Sequence, residues 1–298
     1  MRRPFWALSV ALFLAVAPAL AQEPDAASTP DVDTPETRDV TPTEAGGPPE
    51  VAPIPPAPSG VEGDVWTCDP NFPPLPNLGL VEEPGSSGCP DGMVAVSDFC
   101  IDRYEAFVVE VMPDGREAPW SPYQNPGNLP IRAKSAAGAV PQGYISEVQA
   151  SRACYEAGKR LCRAEEWLRA CRGPEHNVYP YGNERQPGRC NGERWKHPAI
   201  QLYGTTDDWI WGALGNPCIN QLPDGLALTG DHPGCVTDDG AYDLMGNLHE
   251  WIADPEGTFL GGYYVDTRGN DEGCKYHTRA HNVTYWDYST GFRCCADR

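Results

Sequence analysis

The sequence predicts a loop-rich α+β domain held together by disulfide bonds. Twelve of the 298 residues are cysteines, an even number that is typical of a disulfide framework in an exported chain. No pair of CxxC knuckles is present, which favours disulfides over zinc ribbons. Two short amphipathic helices can be read from the spacing of apolar residues, and the remaining apolar runs are brief and separated by Gly, Pro, Asn and Asp.

The first 88 residues are predicted to lie outside the ordered domain. Residues 1–21 combine two arginines, an apolar run and a small-residue end, the pattern of a secretory signal peptide, so we expect export to the periplasm or the extracellular space. Residues 22–60 hold ten prolines and eight acids but no aromatic residue, which predicts a disordered acidic linker. Residues 61–88 predict an irregular arm, and the domain is expected over residues 89–298.

The regular elements predicted within the domain are short. Met93–Val96 and Phe99–Val111 are apolar runs that predict strands. A capping box that starts at Ser146 predicts a helix over residues 147–157. Apolar residues spaced i, i+3, i+4 and i+7 predict a second helix over residues 163–171. Each helix turns one cysteine toward the core.

Net charge restricts the partners. Lys and Arg number 22 against 42 Asp and Glu, a formal charge of −20, which argues against nucleic acid and anionic membrane surfaces. After the leader no apolar run is long enough for a membrane span.

The segment 243–251 joins two carboxylates to a glycine turn, which suits calcium, although spacing alone favours a turn with solvated acids.

Six short motifs occur in one order along residues 89–298. They are FCIDRYE at 99–105, GKRL with EEW at 158–167, YPYG at 179–182, GNLHEW at 246–251, Gly261-Gly262, and GFRC at 291–294. In this order they resemble the formylglycine-generating enzyme (sulfatase-modifying factor) family. The resemblance implies that family's fold, a variant of the C-type lectin fold.

The resemblance also implies calcium ligands. A first site takes the side chains of Asp243 and Glu250 and the carbonyls of Gly246 and Leu248. A second site begins at Asn191 and Gly192, and Asp207 and Asp208 are candidates for its carboxylate.

Disulfide pairings follow in part from the same resemblance. One family bridge falls on Cys154 and Cys294. A second joins the position of Cys171 to that of Tyr276, and Cys274 would share the face of Tyr276 on a strand, so Cys171–Cys274 is the second expected pair. Proximity in sequence alone suggests two further pairs, Cys89–Cys100 and Cys218–Cys235.

The pocket departs from the family pattern. In the family, two cysteines bind copper(I), which activates oxygen to oxidise a substrate cysteine. Counted without gaps, these two positions fall here on Asp266 and Asp271, in a register that also places Arg279 on a family arginine. A family serine is Tyr263 and a pocket tryptophan is His249. Carboxylates are poor ligands for copper(I), so copper is not expected unless Cys274 is free and reaches the site in a gapped register.

Two other uses of the pocket stay open. Histidines and carboxylates could hold iron(II), manganese or zinc; the set is His249, Asp266, Asp271, His277 and His281. Alternatively these are solvated acids and hydrogen-bonded histidines. Aromatic residues near the C-terminal end could line a cleft for a peptide or sugar, or could belong to the core; they are Tyr263, Tyr264, Tyr285, Trp286 and Tyr288.

Three functions are therefore in contention for this pocket. The first is recognition of a peptide, protein or glycan without chemistry, by a calcium-binding exported domain. The second is a metal-dependent oxidoreductase, with iron or another transition metal, that uses the same pocket. The third is a copper-dependent formylglycine-generating oxidase, which soft-ligand chemistry places last.

Overall fold

The structure is a computed structural model that describes residues 66–279 and 281–298. The predicted signal peptide, the linker and the start of the predicted arm lie outside the described residues. The helices are α1 (Glu147–Glu156), α2 (Ala164–Arg172) and α3 (Pro198–Tyr203). The strands are β1 (Met93–Val96), β2 (Phe99–Asp102), β3 (Phe107–Val111), β4 (Glu117–Pro119), β5 (Ile131–Lys134), β6 (Arg160–Leu161), β7 (His249–Trp251), β8 (Phe259–Leu260), β9 (His277–Thr278), β10 (Thr290–Phe292) and β11 (Cys294–Asp297).

The strands form three small sheets. The first has the order β1-β2-β11-β6 and is antiparallel throughout. The second, β10-β7-β8-β9, contains one parallel pair, β10 with β7. The third, β4-β3-β5, packs against α1. Long loops join these elements, so the predicted fold class, loop-rich α+β with disulfide bonds, is confirmed.

Both predicted helices are confirmed to within one residue at each end. The Ser146 hydroxyl accepts a hydrogen bond from the Gln149 N–H, and the Gln149 side chain accepts one from the Ser146 N–H, which completes the capping box of α1. Helix α2 starts after Arg163 and buries Trp167 and Cys171 on one face. It ends at Gly173, whose positive φ of 61° stops the helix.

The single strand predicted over Phe99–Val111 is wrong. The chain leaves the first sheet after Asp102, because this fully buried carboxylate accepts hydrogen bonds from Lys159 Nζ (2.8 Å) and Cys294 N (2.7 Å). Glu105 then turns inward to a loop of the second sheet, and the chain resumes as β3 in the third sheet. The buried Asp102 carboxylate therefore ends β2, although the run of apolar residues predicts one continuous strand.

All twelve cysteines are paired. The bridges include Cys154–Cys294, Cys171–Cys274 and Cys89–Cys100, as expected, together with Cys162–Cys295, which was not predicted. The expected Cys218–Cys235 pair is wrong. Cys218 bonds instead to Cys68 and Cys235 to Cys190, because the segment from Trp66 onward folds back over the domain.

This returning segment is tied to the domain at several points. The Trp66 indole donates to the Gln221 carbonyl (2.5 Å), close to the Cys68 bridge. Asn77 exchanges two hydrogen bonds of 2.8 Å with the backbone of Val140. Residues 66–88 therefore contribute buried polar contacts as well as a disulfide.

No helix in the described part of the chain is long and apolar enough to cross a bilayer.

Candidate functional site

The second sheet places the residues of the glycine loop on opposite faces of β7. Leu260 pairs with both Glu250 and His277, so these three side chains share one face. His249 alternates with Glu250 and projects from the other face, where its ring contacts Phe259 at 4.5 Å between centroids. The sheet thus separates the side of Glu250, which we call the anchoring face, from the side of His249, which corresponds to the expected family pocket and which we call the pocket face.

His249 is surrounded by aromatic rings on the pocket face. Its ring lies 4.6 Å from Tyr263 and 5.5 Å from Tyr276, and the residue is only 5% exposed. Burial, with a smaller contribution from the neighbouring His281, lowers the pKa of His249 to about 3. The imidazole is therefore neutral at physiological pH. Its Nδ1 atom has no hydrogen-bond partner within the described residues.

A second histidine shares this face. The His281 ring stacks on Phe259 (5.3 Å) and on Tyr285 (4.2 Å). The Tyr285 hydroxyl donates to Asp287 Oδ2 at 2.7 Å. Asp287 is buried, which raises its pKa, although hydrogen bonds from Tyr285 and Ser289 oppose this shift. The pocket therefore combines neutral imidazoles with one buried carboxyl group.

The other polar residues expected in the pocket make no hydrogen bond to His249 within the described residues. His277 is on the opposite face of the sheet, and with Asp271 and Arg279 it lines an open surface cavity. Asp266 Oδ1 accepts hydrogen bonds from the N–H groups of Arg268 and Gly269, and its carboxylate also lies beside the Tyr276 hydroxyl, on a ring that packs against His249. Sequence reasoning missed the position of His277 because it depends on the register of β9.

No transition-metal site is assembled in the described ranges 66–279 and 281–298. No three His, Cys, Asp or Glu residues within them are arranged so that they could hold a metal ion. In the gapped register Cys274 would take the place of a copper-binding cysteine, but it is bonded to Cys171 and therefore provides no thiol. The remaining expected pocket residue, Trp286, is 40% exposed and makes no aromatic contact with His249.

The anchoring face carries a buried ion pair. Both oxygens of Glu250 accept hydrogen bonds from Arg293 at 2.7 Å, and the Trp167 indole donates to Oε2 at 2.6 Å. Arg293 is fully buried and also donates to the carbonyls of Asp102 and Tyr242. This network joins α2, β7 and the strand that follows Phe292.

Two more carboxyl groups surround Arg293. Glu105, which sequence reasoning did not select, accepts hydrogen bonds from the Leu248 N–H (2.9 Å) and the Asn247 amide. Burial, together with Asp243 and Glu250, raises the pKa of Glu105 well above its ordinary range. Burial also raises the pKa of Asp243 to about 7. Glu105 is the last residue of the FCIDRYE motif, and this motif is the sequence signal that could have identified it.

The family assignment rests on a match over most of this architecture. The family model described as "Sulfatase-modifying factor enzyme 1-like domain" matches residues 82–297. The chain belongs to this family. The match begins seven residues before Cys89, inside the segment that returns over the domain.

The relatives include proteins named as formylglycine-generating enzymes and proteins named as inactive ones. The chain is 35% identical over 114 residues to the bovine "Inactive C-alpha-formylglycine-generating enzyme 2", a match covering 38% of this chain and 32% of that protein. It is 31% identical over 170 residues to the "Formylglycine-generating enzyme" of Thermomonospora curvata, covering 47% and 50%. The chain therefore spans about a third to a half of the length of these relatives.

Solved structures are more distant. PvdO from Pseudomonas aeruginosa is 14% identical with a TM-score of 0.38, over 67% of this chain and 80% of that chain. CarF is also 14% identical with a TM-score of 0.36, over 69% and 93%.

The family's calcium ligands fit the glycine loop only in part. Asp243 accepts one hydrogen bond, from the Gly230 N–H to Oδ2 (2.7 Å). Glu250, by contrast, is already neutralised by Arg293, and a calcium ion beside it would be repelled by the guanidinium. The loop therefore offers Asp243 and backbone carbonyls more readily than Glu250.

The second expected calcium position is built into the same loop. The Asn191 carbonyl accepts from the Asn247 N–H (2.7 Å), and its side-chain amide donates to Gly225 and to Asn247. Gly192 lies against Thr267, where a Cβ would approach the Thr267 methyl group to 2.6 Å. Asp207 and Asp208 lie on an exposed turn, and no hydrogen bond or ion pair of the described residues joins them to Asn191.

Proposed function

We propose that this chain is an exported recognition protein of the sulfatase-modifying factor family without formylglycine-generating activity. The observation that carries the proposal is that all twelve cysteines are paired in disulfides. In the ungapped register, aspartates also fall on both positions of the family's copper-binding cysteines. Copper(I) is held by thiolates, and a cysteine in a disulfide provides none. The likeness to inactive relatives supports the same conclusion.

The pocket face supports recognition of an uncharged polar group. Neutral His249, whose Nδ1 has no hydrogen-bond partner among the described residues, can exchange one hydrogen bond with a ligand, and leaving that bond unmade in a buried site costs about 1–3 kcal/mol. Tyr263, Phe259 and Tyr276 supply aromatic surface around it. Amide groups of peptides and hydroxyl groups of glycans both satisfy this chemistry, and we propose these as the ligand classes.

The paired cysteines also support an oxidising compartment, which agrees with the proposed export. Disulfides of this number persist in secreted or periplasmic proteins and are rare where thiols are kept reduced. The proposed location is therefore the periplasm or the extracellular space.

A copper and thiol experiment tests the proposal directly. The purified protein is denatured without reductant for a free-thiol count, and the native protein is assayed for copper(I) binding and for oxidation of a cysteine-containing peptide. An active formylglycine-generating enzyme is the positive control. We expect no free thiol, no stoichiometric copper and no aldehyde product. Turnover of the peptide would refute the proposal.

Elemental analysis of the same sample addresses the oxidoreductase alternative. Stoichiometric iron, manganese or zinc that is lost in the His249→Ala protein would favour the metal enzyme over the recognition protein.

Calcium is proposed as the resident ion of the glycine loop, with Asp243 as its carboxylate ligand. Removing calcium with a chelator should then lower the melting temperature, and this decrease should be absent in Asp243→Ala, which leaves no side-chain oxygen to bind the ion.

A further inference from the structure

Three tryptophans lie half-exposed on two adjoining segments of the domain. Trp209 and Trp211 are 48% and 44% exposed on a short 3₁₀ turn, and Trp286 is 40% exposed. The Tyr288 N–H donates to the Leu214 carbonyl, which joins the segment of Trp286 to that of Trp211. We call Trp209, Trp211 and Trp286 the tryptophan face.

Each indole of the tryptophan face is held in place by a fixed neighbour. Trp211 meets the His197 ring edge-on at 4.9 Å, and Tyr288 Oη and the Ala199 N–H fix the two nitrogens of that ring. Such preorganised rings lose little conformational freedom when a partner binds.

The other two rings are fixed in the same manner. Trp209 lies 4.9 Å from Tyr203, whose hydroxyl donates to the Ala213 carbonyl. Trp286 lies on Gly215, where a Cβ would come within 3.0 Å of the indole. Large exposed aromatic side chains with fixed rings are characteristic of binding surfaces.

The charge beside the tryptophan face selects the partner. Asp207 and Asp208 are exposed immediately before Trp209, and no ion pair of the described residues involves either carboxylate. Arg194, whose charge acts on His197 beside Trp211, donates its guanidinium hydrogen bonds to the Lys196 and Pro223 carbonyls and to Gln201, and to neither aspartate. A second copy of this chain, with the same charge of −20, would be repelled.

We propose that the tryptophan face binds an arginine-rich cationic peptide segment of a partner protein. Guanidinium groups stack on indole faces and pair with carboxylates, so the alternation of Asp207, Asp208, Trp209 and Trp211 matches both properties of arginine. This surface is distinct from the His249 pocket, and the proposal does not depend on the proposed function.

Binding of hexa-arginine to the full exported chain tests this proposal. Affinity is measured by calorimetry at 0.15 M salt, with hexa-glutamate and a neutral oligosaccharide, chitohexaose, as comparison probes. We expect hexa-arginine alone to bind, about tenfold more weakly in Trp211→Ala and about threefold to tenfold more weakly in Asp207→Asn/Asp208→Asn.

Matched controls separate this surface from general charge attraction. Trp195 is 90% exposed and lies in another cavity, so Trp195→Ala should bind as the parent does. Asp91→Asn/Asp98→Asn removes two exposed acids elsewhere and should have little effect. Near-ultraviolet circular dichroism verifies the fold of every variant.

Several results would overturn the proposal. Equal losses in the face and control variants would reduce the binding to bulk electrostatics. Binding of chitohexaose at Trp211 without binding of hexa-arginine would make the face a glycan surface. Absence of binding by all three probes would remove the face as a docking site. As a second variant, Gly215→Ala displaces the Trp286 ring without removing it and should also weaken hexa-arginine binding.

Discussion

Removing the Cys68–Cys218 bridge should cost more stability than removing the Cys89–Cys100 bridge. The first pair is separated by 150 residues and the second by 11. In the chain-entropy model, the long loop contributes about 5 kcal/mol and the short one about 3 kcal/mol to the free energy of unfolding. The other bridges already restrict the unfolded chain, so about 5 kcal/mol is an upper value. We expect a difference of about 2 kcal/mol.

The assay is urea unfolding of two double-alanine variants, Cys68→Ala/Cys218→Ala and Cys89→Ala/Cys100→Ala, followed by tryptophan fluorescence. Each variant lacks both thiols, so no cysteine is left to form a wrong bridge. The long-loop variant also releases the end of the segment held by Trp66. An equal or greater loss of stability in the short-loop variant would refute the reasoning, since loop length would then not govern the contribution of the bridges.

Three further predictions concern the two faces of β7. His249 has a pKa lowered by burial to about 3 from an ordinary 6.5, so at pH 5 it binds no proton in the folded state while the unfolded chain does; between pH 7.5 and 5 this group alone should lower the free energy of unfolding by about 2 kcal/mol. Buried Asp243, whose pKa is raised to about 7, acts in the opposite direction in the parent and the variant alike, so the measurement is the difference between the parent and His249→Phe by urea titration at the two pH values, and a difference that does not change with pH would refute the reasoning. Glu250→Gln should lower the free energy of unfolding by about 3–5 kcal/mol, because it leaves Arg293 buried without its partner; a loss below about 1 kcal/mol would contradict this. Gly246→Ala should lower the melting temperature sharply, since Gly246 has φ +80° and a Cβ would meet the Asn191 carbonyl at 2.0 Å; an unchanged melting curve would refute it.

Local sequence signals predicted the helices because their determinants are local. The capping box at Ser146 and the apolar spacing of α2 act within one or two turns, so both elements were found to within a residue at each end. The strand over Phe99–Val111 failed for the opposite reason. Its break depends on Asp102 meeting Lys159, which lies 57 residues away.

The disulfides show the same division between local and distant determinants. Cys89–Cys100 closes a hairpin of two adjacent strands, β1 and β2, so proximity in sequence sufficed. The partner of Cys218 lies in a Pro-rich segment with no periodicity, and nothing in its composition shows which part of the domain it covers. The sequence also could not predict which face of the sheet His277 occupies, because β9 has two residues and its register is set by β8.

The alternation of β7 explains how one loop can keep its structure when the residue on its pocket face is changed. The residue that anchors the strand is Glu250, held by Arg293 and Trp167 on one face. The residue that faces the pocket is His249, which makes no hydrogen bond through Nδ1 to any described residue. Because adjacent side chains in a strand point to opposite faces, substitution at position 249 leaves the anchor untouched. The residue on the pocket face and the stability of the fold are therefore separable at this strand, so a family match over residues 82–297 does not by itself establish the activity.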